Sequence, residues 1–293
     1  MTVVALDTRR SAELGLGVKE TARELAAGWE ATARRWGERK PPWRPSAGDV
    51  DVYRRLAGER LGGRVLLLGV TPELRDLVAS AGGSLVLTDA SAAMYEVTTR
   101  MLRLADPSQE TWVRREWGPF PFGDFDLVLG DLIWWVVSVA KQYEVRDAIH
   151  AALKPSGLFV GRMRFCDSSR AAASPARAVA RSLAELDAAP GEADRIEEEL
   201  VSWLYDHTAN RALRRLDRDR AHAFLGSLAE RPEFAGHEER LRRLAGRAHG
   251  VDWTSQTRKE LLRIVRRHFE VVGEAHAEDY DSTLYPVFAC KPA

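Results

Sequence analysis

The spacing of apolar residues changes along the chain from a helical pattern to a pattern of short buried strands. Residues 18–38 predict an amphipathic helix, because apolar side chains recur three or four positions apart. These side chains are Leu25, Trp29, Ala33 and Trp36. A proline-rich turn at 41–49 must end that helix, and residues 49–61 predict a second, shorter one.

Short apolar runs alternate with helical stretches from residue 64 onwards. The predicted strands are 64–69, 84–88, 111–115, 125–130 and 158–163, and the predicted helices are 71–80, 91–104 and 140–153. The continuous apolar runs, such as RVLLLG, are typical of strands buried on both faces. Strands that alternate with helices imply right-handed crossovers and a parallel sheet, so the fold class is α/β.

Residues 165–250 interrupt this alternation, because they contain charged helical stretches and no strand-like run. A helix at 257–268 and strands in FEVVGEA and TLYPVFAC then resume it. An insertion of this size favours a cap over a linker. The predicted divisions are N-terminal helices with a cofactor-covering loop (1–62), a ligand-binding core (63–164), a helical cap (165–255) and a segment that completes the core (256–293).

Composition and charge limit the classes of binding partner and cofactor that we expect for this chain. The chain has 293 residues with 43 basic and 43 acidic side chains, and this zero net charge argues against nucleic acid as the main partner. Two cysteines form neither a disulfide framework nor a metal set, and the seven histidines lack metal-ligand spacing. We find no secretory signal and no apolar run of about 18 residues, so we expect a cytoplasmic protein without membrane or metal.

The end of the first strand carries the first chemical signal. Gly69 allows a sharp turn into a helix that begins at Pro72, and the Thr71 hydroxyl is expected to cap that helix. Asp89 ends the second strand, twenty positions after Gly69. That spacing brings a carboxylate to a ribose diol, and the carboxylate can accept a hydrogen bond from each of the two hydroxyls. Ser91 can cap the next helix.

Four segments, in this order, resemble the class I S-adenosylmethionine (SAM)-dependent methyltransferases. They are VLLLGVTPEL (65–74), LTDASAAM (87–94), REWGPFPFGDFDLVLGD (115–131) and LKPSGLFVGRM (153–163). The C-terminal residues 269–290 resemble the closing antiparallel hairpin of that fold. The resemblance implies a Rossmann-like seven-stranded sheet of order 3-2-1-4-5-7-6, with SAM as cofactor and S-adenosylhomocysteine (SAH) as product.

The resemblance also implies roles for individual residues. Gly69 and Val70 would lie beside the methionine part of SAM, Asp89 would hold the ribose, and Glu116 would accept from the adenine amino group. The full implied cofactor set is Gly69, Val70, Thr71, Asp89, Ala90, Ser91, Met94, Glu116, Trp117 and Gly130.

The glycine turn departs from the family pattern. Leu67 stands where that family often has an acidic residue, and Thr71 and Glu73 stand at its later glycine positions. The amino group of SAM therefore needs another partner. A nicotinamide dinucleotide fits less well, because Glu73 would face its diphosphate.

Several residues are candidates for acceptor binding and catalysis. The substrate-binding candidates are Trp43, Arg44, Trp134 and Trp135, and the catalytic candidates are Asp131, Tyr143 and His207. Asp131 is either a general base or a helix cap, and the tryptophans either line an acceptor pocket or pack in the core. His207 belongs to a polar cluster with Tyr205, Asp206 and Arg211, where a neutral histidine is a plausible base.

These observations predict a methyltransferase for a small-molecule acceptor, by transfer to oxygen or nitrogen. A large cap and zero net charge favour a small, enclosed acceptor over a macromolecule. Two alternatives remain: a degenerate SAM-binding protein with a regulatory or non-methyl role, and an RNA or protein methyltransferase. A homodimer is compatible with the sequence.

Overall fold

The computed structural model describes residues 28–30, 32–166, 174–208, 218–247 and 253–293, in which seven strands form one sheet. The strands are β1 (Arg64–Leu68), β2 (Ser84–Asp89), β3 (Thr111–Arg114), β4 (Phe125–Asp131), β5 (Leu153–Arg162), β6 (Phe269–Ala275) and β7 (Val287–Pro292). Their order is β3-β2-β1-β4-β5-β7-β6. The first five run parallel, whereas β7 pairs antiparallel with both β5 and β6. The predicted strand order is therefore confirmed.

The described helices cover both faces of the sheet and fill the segment between β5 and β6. They are α1 (Ala47–Ala57), α2 (Pro72–Ser80), α3 (Ala92–Thr99), α4 (Val139–Ala152), α5 (Pro175–Ala188), α6 (Ala193–Thr208), α7 (Arg218–Ala229), α8 (Glu238–Arg247) and α9 (Arg258–Val265). Residues 28–30 and 32–34 are helical, within the predicted N-terminal helix, of which residues 18–27 lie outside the described part of the chain. None of the described helices is both long enough and apolar enough to cross a membrane.

The central strands lie in the core because their side chains are apolar on both faces. Val65, Leu66 and Leu67 of β1 are fully buried. Leu66 lies in register with Val86 of β2 and Val128 of β4, so an apolar row runs across the centre of the sheet. Buried apolar area of this kind is the main favourable contribution to folding.

Several element boundaries differ from the sequence prediction, and at two of them a side chain takes over backbone hydrogen bonds. Helix α1 begins before residue 49, because Ser46 and Asp49 form a capping box across its first turn. Helix α3 ends at Thr99 rather than near 104. There the Asp76 carboxylate accepts from the backbone N–H groups of residues 103–105, at 2.9–3.2 Å, and holds that segment out of the helix.

The helices between β5 and α9 share an apolar core with the edge of the sheet. Buried residues of α5 to α8 pack in one cluster with Trp43, Leu132, Trp135 and Tyr285. Among the described residues of this segment, 174–208 and 218–247, there is no strand. The insertion therefore packs against the carboxyl end of β4 through tryptophan side chains.

A buried ionic network joins helix α1 to the sheet. The Arg162 guanidinium, at the end of β5, donates to Asp49 Oδ2 from Nη1 at 2.7 Å and to Asp131 Oδ1 from Nε at 2.7 Å. All three side chains are at most 4% exposed. The Tyr53 hydroxyl donates to the Gly130 carbonyl at 2.8 Å, and that of Tyr280 donates to Asp49 at 3.2 Å. Helix α1, β4, β5 and the β6–β7 connection therefore meet at one cation.

We expect Arg162→Met to lower the free energy of unfolding by about 3–5 kcal/mol, because it leaves two buried carboxylates without their cation. Urea denaturation measures this change. The matched control is Arg54→Met, which removes an exposed arginine paired with Asp51 on α1 and should cost less than about 1 kcal/mol. Similar losses for the two variants would contradict the central role of Arg162.

Candidate active site

A cleft opens at the carboxyl edge of the sheet, where β1, β2 and β4 end. It contains about 670 Å³ of empty space, its open mouth included. Parallel α/β sheets bind ligands at this edge. The lining residues are Trp29, Thr32, Trp36, Arg39, Trp43, Leu68, Gly69, Val70, Thr71, Asp89, Met94, Trp117, Asp131, Leu132, Trp135, Val136 and Trp253.

The turn from β1 into α2 forms part of the cleft floor. Gly69 has a backbone φ of +100°, which residues with a side chain rarely adopt. Its N–H donates to the Thr88 carbonyl at 2.9 Å. A Cβ on Gly69 would lie 3.8 Å from Trp117 Cζ2 and 4.0 Å from Asp89 Oδ2. The glycine therefore leaves open the space between this ring and this carboxylate.

Thr71 occupies the N-cap position of α2, but the prediction that its hydroxyl accepts a capping hydrogen bond is wrong. The side chain accepts from no N–H of the first turn, and the residue lines the cleft instead. Pro72, at the first helical position, has no N–H that needs an acceptor. The Ser91 prediction is confirmed, because its hydroxyl accepts from the Met94 N–H at 3.2 Å.

Asp89 brings a carboxyl group to the cleft at the end of β2. Burial raises its pKa to about 6, and the Ser91 N–H, which donates to Oδ1 at 2.7 Å, opposes this shift. Trp117 stands beside it, fixed by a hydrogen bond of 2.9 Å from the indole Nε1 to the Thr88 carbonyl. Asp89 Oδ2, near the open side of Gly69, remains available to accept from a ligand.

Asp131 lies on the cleft floor at the end of β4, and both of its oxygens accept from Arg162, at 2.7 and 3.1 Å. Burial raises its pKa, and the charge of Arg162 opposes this effect. The next residue, Leu132, has a φ of 54°. This left-handed backbone costs about 1–2 kcal/mol for a side chain with a Cβ. The strained turn directs the chain from Asp131 to Trp135 along the cleft.

Tryptophans form most of the apolar wall, and six of the nine in the chain line the cleft. Trp135 stacks on Trp43 with ring centroids 5.0 Å apart and on Trp253 at 4.1 Å. The guanidinium of Arg164 lies 5.0 Å from the centroid of the Trp135 ring. The Thr254 N–H donates to the Trp135 carbonyl at 2.7 Å and holds the Trp253 segment against the stack.

Arg44 and Glu73 form an ion pair between the proline-rich loop and the start of α2. Arg44 Nε donates to Glu73 Oε1 at 2.9 Å, so Arg44 already has a carboxylate partner within the chain. The other oxygen, Glu73 Oε2, is buried and has no hydrogen-bond partner among the residues that the structure describes. The charge of Glu73 also contributes to the raised pKa of Asp131, which places the two carboxylates near each other.

The structure brings nine of the predicted site residues to the cleft and leaves others outside it. Those that line it are Trp43, Gly69, Val70, Thr71, Asp89, Met94, Trp117, Asp131 and Trp135. Those that do not are Arg44, Ala90, Ser91, Glu116, Gly130, Trp134, Tyr143 and His207. Ala90 and Glu116 are exposed, and Gly130 is buried beneath Tyr53.

The three outlying catalytic and aromatic candidates have other neighbours. Trp134 is buried in the apolar core with its ring edge-on to Phe159 at 6.0 Å. The Arg146 guanidinium lies 5.2 Å from the ring centroid of Tyr143, on α4. His207, on α6, stacks on Trp203 with centroids 5.4 Å apart. Of its proposed cluster, Arg211 and the Tyr205 side chain lie outside the described residues.

Sequence reasoning missed the cleft residues of the N-terminal segment, namely Trp29, Thr32, Trp36 and Arg39, as well as Trp253. Trp29 and Trp36 were attributed to the apolar face of a helix, and that face packs near Met94 and Val70. The density of tryptophan in this chain was the available signal. The number of tryptophans indicates an aromatic cluster, but only the fold shows that six of them line one cleft.

Solved structures of other proteins share this fold. No family model and no curated protein matches the chain. A complex of DhpI with SAM and HEP has a TM-score of 0.52 at 14% identity, covering 93% of this chain and 100% of the other. The DhpI–SAH complex has a TM-score of 0.50 at 14% identity, covering 93% and 99%.

A third similar structure, from Rhodobacter sphaeroides, is named among the zinc-dependent alcohol dehydrogenases. Its TM-score is 0.58 at 14% identity, covering 94% of this chain and 100% of that one. Identities this low show the fold alone. Within the described ranges, no group of three His, Cys, Asp or Glu side chains is placed to hold a metal ion. The sheet order with an antiparallel β7 is that of the class I SAM-dependent methyltransferases.

We expect Asp89 to make stability depend on pH. Because its pKa is about 6 in the folded chain and near 3.8 when unfolded, its contribution to stability is greatest at low pH and falls as the pH rises through 6. Between pH 5 and pH 8 the wild type should lose about 1 kcal/mol relative to Asp89→Asn. Urea denaturation of both proteins at the two pH values measures the difference, and parallel pH profiles would contradict it.

Proposed function

We propose that the chain is a SAM-dependent methyltransferase that transfers a methyl group in line to oxygen or nitrogen of a small molecule. The observation that carries the proposal is the pair formed by Asp89 and the Gly69 turn. In a methyltransferase fold, this pair presents a carboxylate oxygen beside an open backbone turn at the edge of the sheet. A ribose diol provides the two donors that such a carboxylate accepts.

The residues present fit SAM along most of its length. Asp89 would hold the ribose hydroxyls, Met94 and Trp117 would bracket the adenine, and the backbone at Gly69 and Val70 would follow the methionine part. The open space where a Gly69 Cβ would stand supports this placement. When bound, SAM supplies a methyl group on a sulfonium, which a positioned nucleophile can attack, and SAH is the product.

Glu73 offers the partner that the amino group of SAM requires. The acidic residue that the methyltransferase pattern often has is replaced by Leu67, which is fully buried in the sheet. Glu73 Oε2 is a buried carboxylate oxygen without a hydrogen-bond partner in the described part of the chain, two residues beyond the cleft-lining Thr71. An unpaired buried acceptor is costly, and a ligand ammonium would satisfy it. Arg44 holds the opposite oxygen and fixes the orientation of the carboxylate.

The side chains of the cleft favour catalysis by placement. Both oxygens of Asp131 accept hydrogen bonds from the Arg162 guanidinium, and this favours a fixed floor over a mobile base. The described lining of the cleft includes no histidine. Holding acceptor and methyl donor in line can account for a large part of the barrier reduction.

A small acceptor agrees with how the inserted helices meet the cleft. The apolar cluster of α5 to α8 includes Trp43, Leu132 and Trp135, which also line the cleft. The acceptor would therefore lie between the insertion and the sheet edge, in an apolar enclosure. Such enclosures are typical of small-molecule sites, and the zero net charge agrees with this choice.

We expect SAH and 5′-methylthioadenosine to bind the wild type, and Asp89→Ala to lose both, because the two ligands share the ribose. Isothermal titration calorimetry measures the affinities. The control is Asp106→Ala, an exposed aspartate after α3, which should bind both ligands as the wild type does. Absence of SAH binding by the wild type would overturn the proposal. SAH binding without transfer to any small acceptor would favour the degenerate SAM-binding alternative.

We expect Glu73→Gln to weaken SAH binding at least tenfold and to leave 5′-methylthioadenosine binding within twofold. The second ligand lacks the amino-acid end, so it serves as the internal control for the integrity of the ribose and adenine sites. Calorimetry of both ligands on wild type and variant gives the comparison. An equal loss for the two ligands would argue against a direct contact with the ammonium.

A further inference from the structure

Arg39 is a cleft-lining cation that has no anionic partner among the residues that the structure describes. It lies between the Trp36–Glu38 turn and the proline-rich loop, half-buried, and forms no ion pair or side-chain hydrogen bond with any described residue. The other two charged side chains that line the cleft are Asp89 and Asp131. Asp131 is matched by Arg162, and no cation contributes to the pKa of Asp89. Arg39 therefore leaves an uncompensated positive charge at the cleft.

The position of Arg39 associates it with the tryptophan wall. Its guanidinium carbon lies 5.8 Å from the centroid of the Trp43 ring, and Trp43 stacks on Trp135. Trp135 follows Asp131 and Leu132 along the chain after β4, whereas Asp89, Met94 and Trp117 form the opposite side, toward β2. The charge thus borders the part of the cleft that the proposed function gives to the acceptor.

The stacked rings limit the shape of a molecule that can lie there. Trp135 is in direct contact with Trp43 and Trp253, at centroid distances of 5.0 and 4.1 Å, so no ring can enter between them. Trp43 and Trp135 are only 6% and 2% exposed, so a ligand meets the parts of these rings that line the cleft. Planar rings gain most from such a surface, through offset stacking or edge-to-face contact. A guanidinium beside the stack presents two parallel N–H donors, which match a carboxylate.

We propose that the acceptor is a planar aromatic acid whose ring lies on the Trp43–Trp135–Trp253 wall and whose carboxylate binds Arg39. This inference rests on the proposed function for the identity of the pocket. Arg44, the cation expected from the sequence, is already neutralised by Glu73. A carboxylate in the cleft has a second source in the amino-acid end of the cofactor, so the experiment includes an arm for each source.

The test uses 2-naphthoate and its neutral counterpart 2-naphthamide, titrated calorimetrically into the full-length protein with and without saturating SAH. One-ring analogues, benzoate and benzamide, are titrated in parallel. We expect at least one carboxylate to bind at least tenfold more tightly than its amide, and Arg39→Gln to abolish that preference. Arg35→Gln is the matched control, since Arg35 is an exposed neighbour paired with Glu38, and it should retain the preference.

Further measurements separate the ring from the charge and the acceptor from the cofactor. Trp253→Leu should weaken carboxylate and amide by the same factor, because both lose the wall. Arg39→Gln should bind SAH as the wild type does. A wild type that binds none of the carboxylates, or an Arg39→Gln variant that keeps the preference, overturns the proposal. An Arg39→Gln variant that weakens SAH but not 5′-methylthioadenosine assigns Arg39 to the cofactor and also overturns it.

The outcomes also distinguish this inference from the proposed function. If SAH fails to bind while the Arg39-dependent preference for a carboxylate persists, the aromatic acid site stands and the methyltransferase proposal falls. If SAH binds and the preference is absent, the methyltransferase proposal stands and the acceptor class is wrong. Thermal unfolding of each variant verifies that the fold is intact. Arg39 is only half-buried, so we expect its replacement to leave the fold intact.

Discussion

The guanidinium of Arg162 connects the parts of the chain that the cleft depends on. Asp49 comes from helix α1, Asp131 from the end of β4 and Tyr280 from the β6–β7 connection, and all three contact this one buried cation. Two carboxylates share this one cation, so removing the guanidinium would leave both of them unpaired in a medium where solvation is poor. The same contacts fix the floor of the cleft and the helix that precedes β1.

Arg162 pairs with Asp131 on the floor of the cleft. The other two charged side chains that line the cleft lie at separate places. Asp89 presents a carboxylate at the end of β2, and Arg39 presents a cation beside the tryptophan wall. Between them the lining is apolar and largely aromatic. A bound molecule therefore meets two polar points with an apolar surface between them, an arrangement that fixes orientation while most of its area is buried in apolar contact.

The turn after β1 shows how a departure from a motif is compensated in three dimensions. Only one glycine of the usual turn is present, and it is the one whose φ of +100° demands it. The later positions carry Thr71, which lines the cleft, and Glu73, which Arg44 holds from the other side. A carboxylate missing from β1 is thus available from α2, a few residues later, where the fold brings it near Asp131.

The sequence alone determined the sheet. Continuous apolar runs predicted the central strands, and the spacing of Gly69 and Asp89 predicted two neighbours in the cleft, because the carboxyl ends of adjacent parallel strands meet at one edge. Local pattern is sufficient there, since burial on both faces leaves few alternatives. It was insufficient for Trp36 and Arg39, which lie far from Trp253 in the chain and meet it only through packing of the N-terminal segment and the insertion. Likewise, whether Arg44 or Arg39 remains unpaired depends on the position of Glu73, so only the tertiary structure decided it.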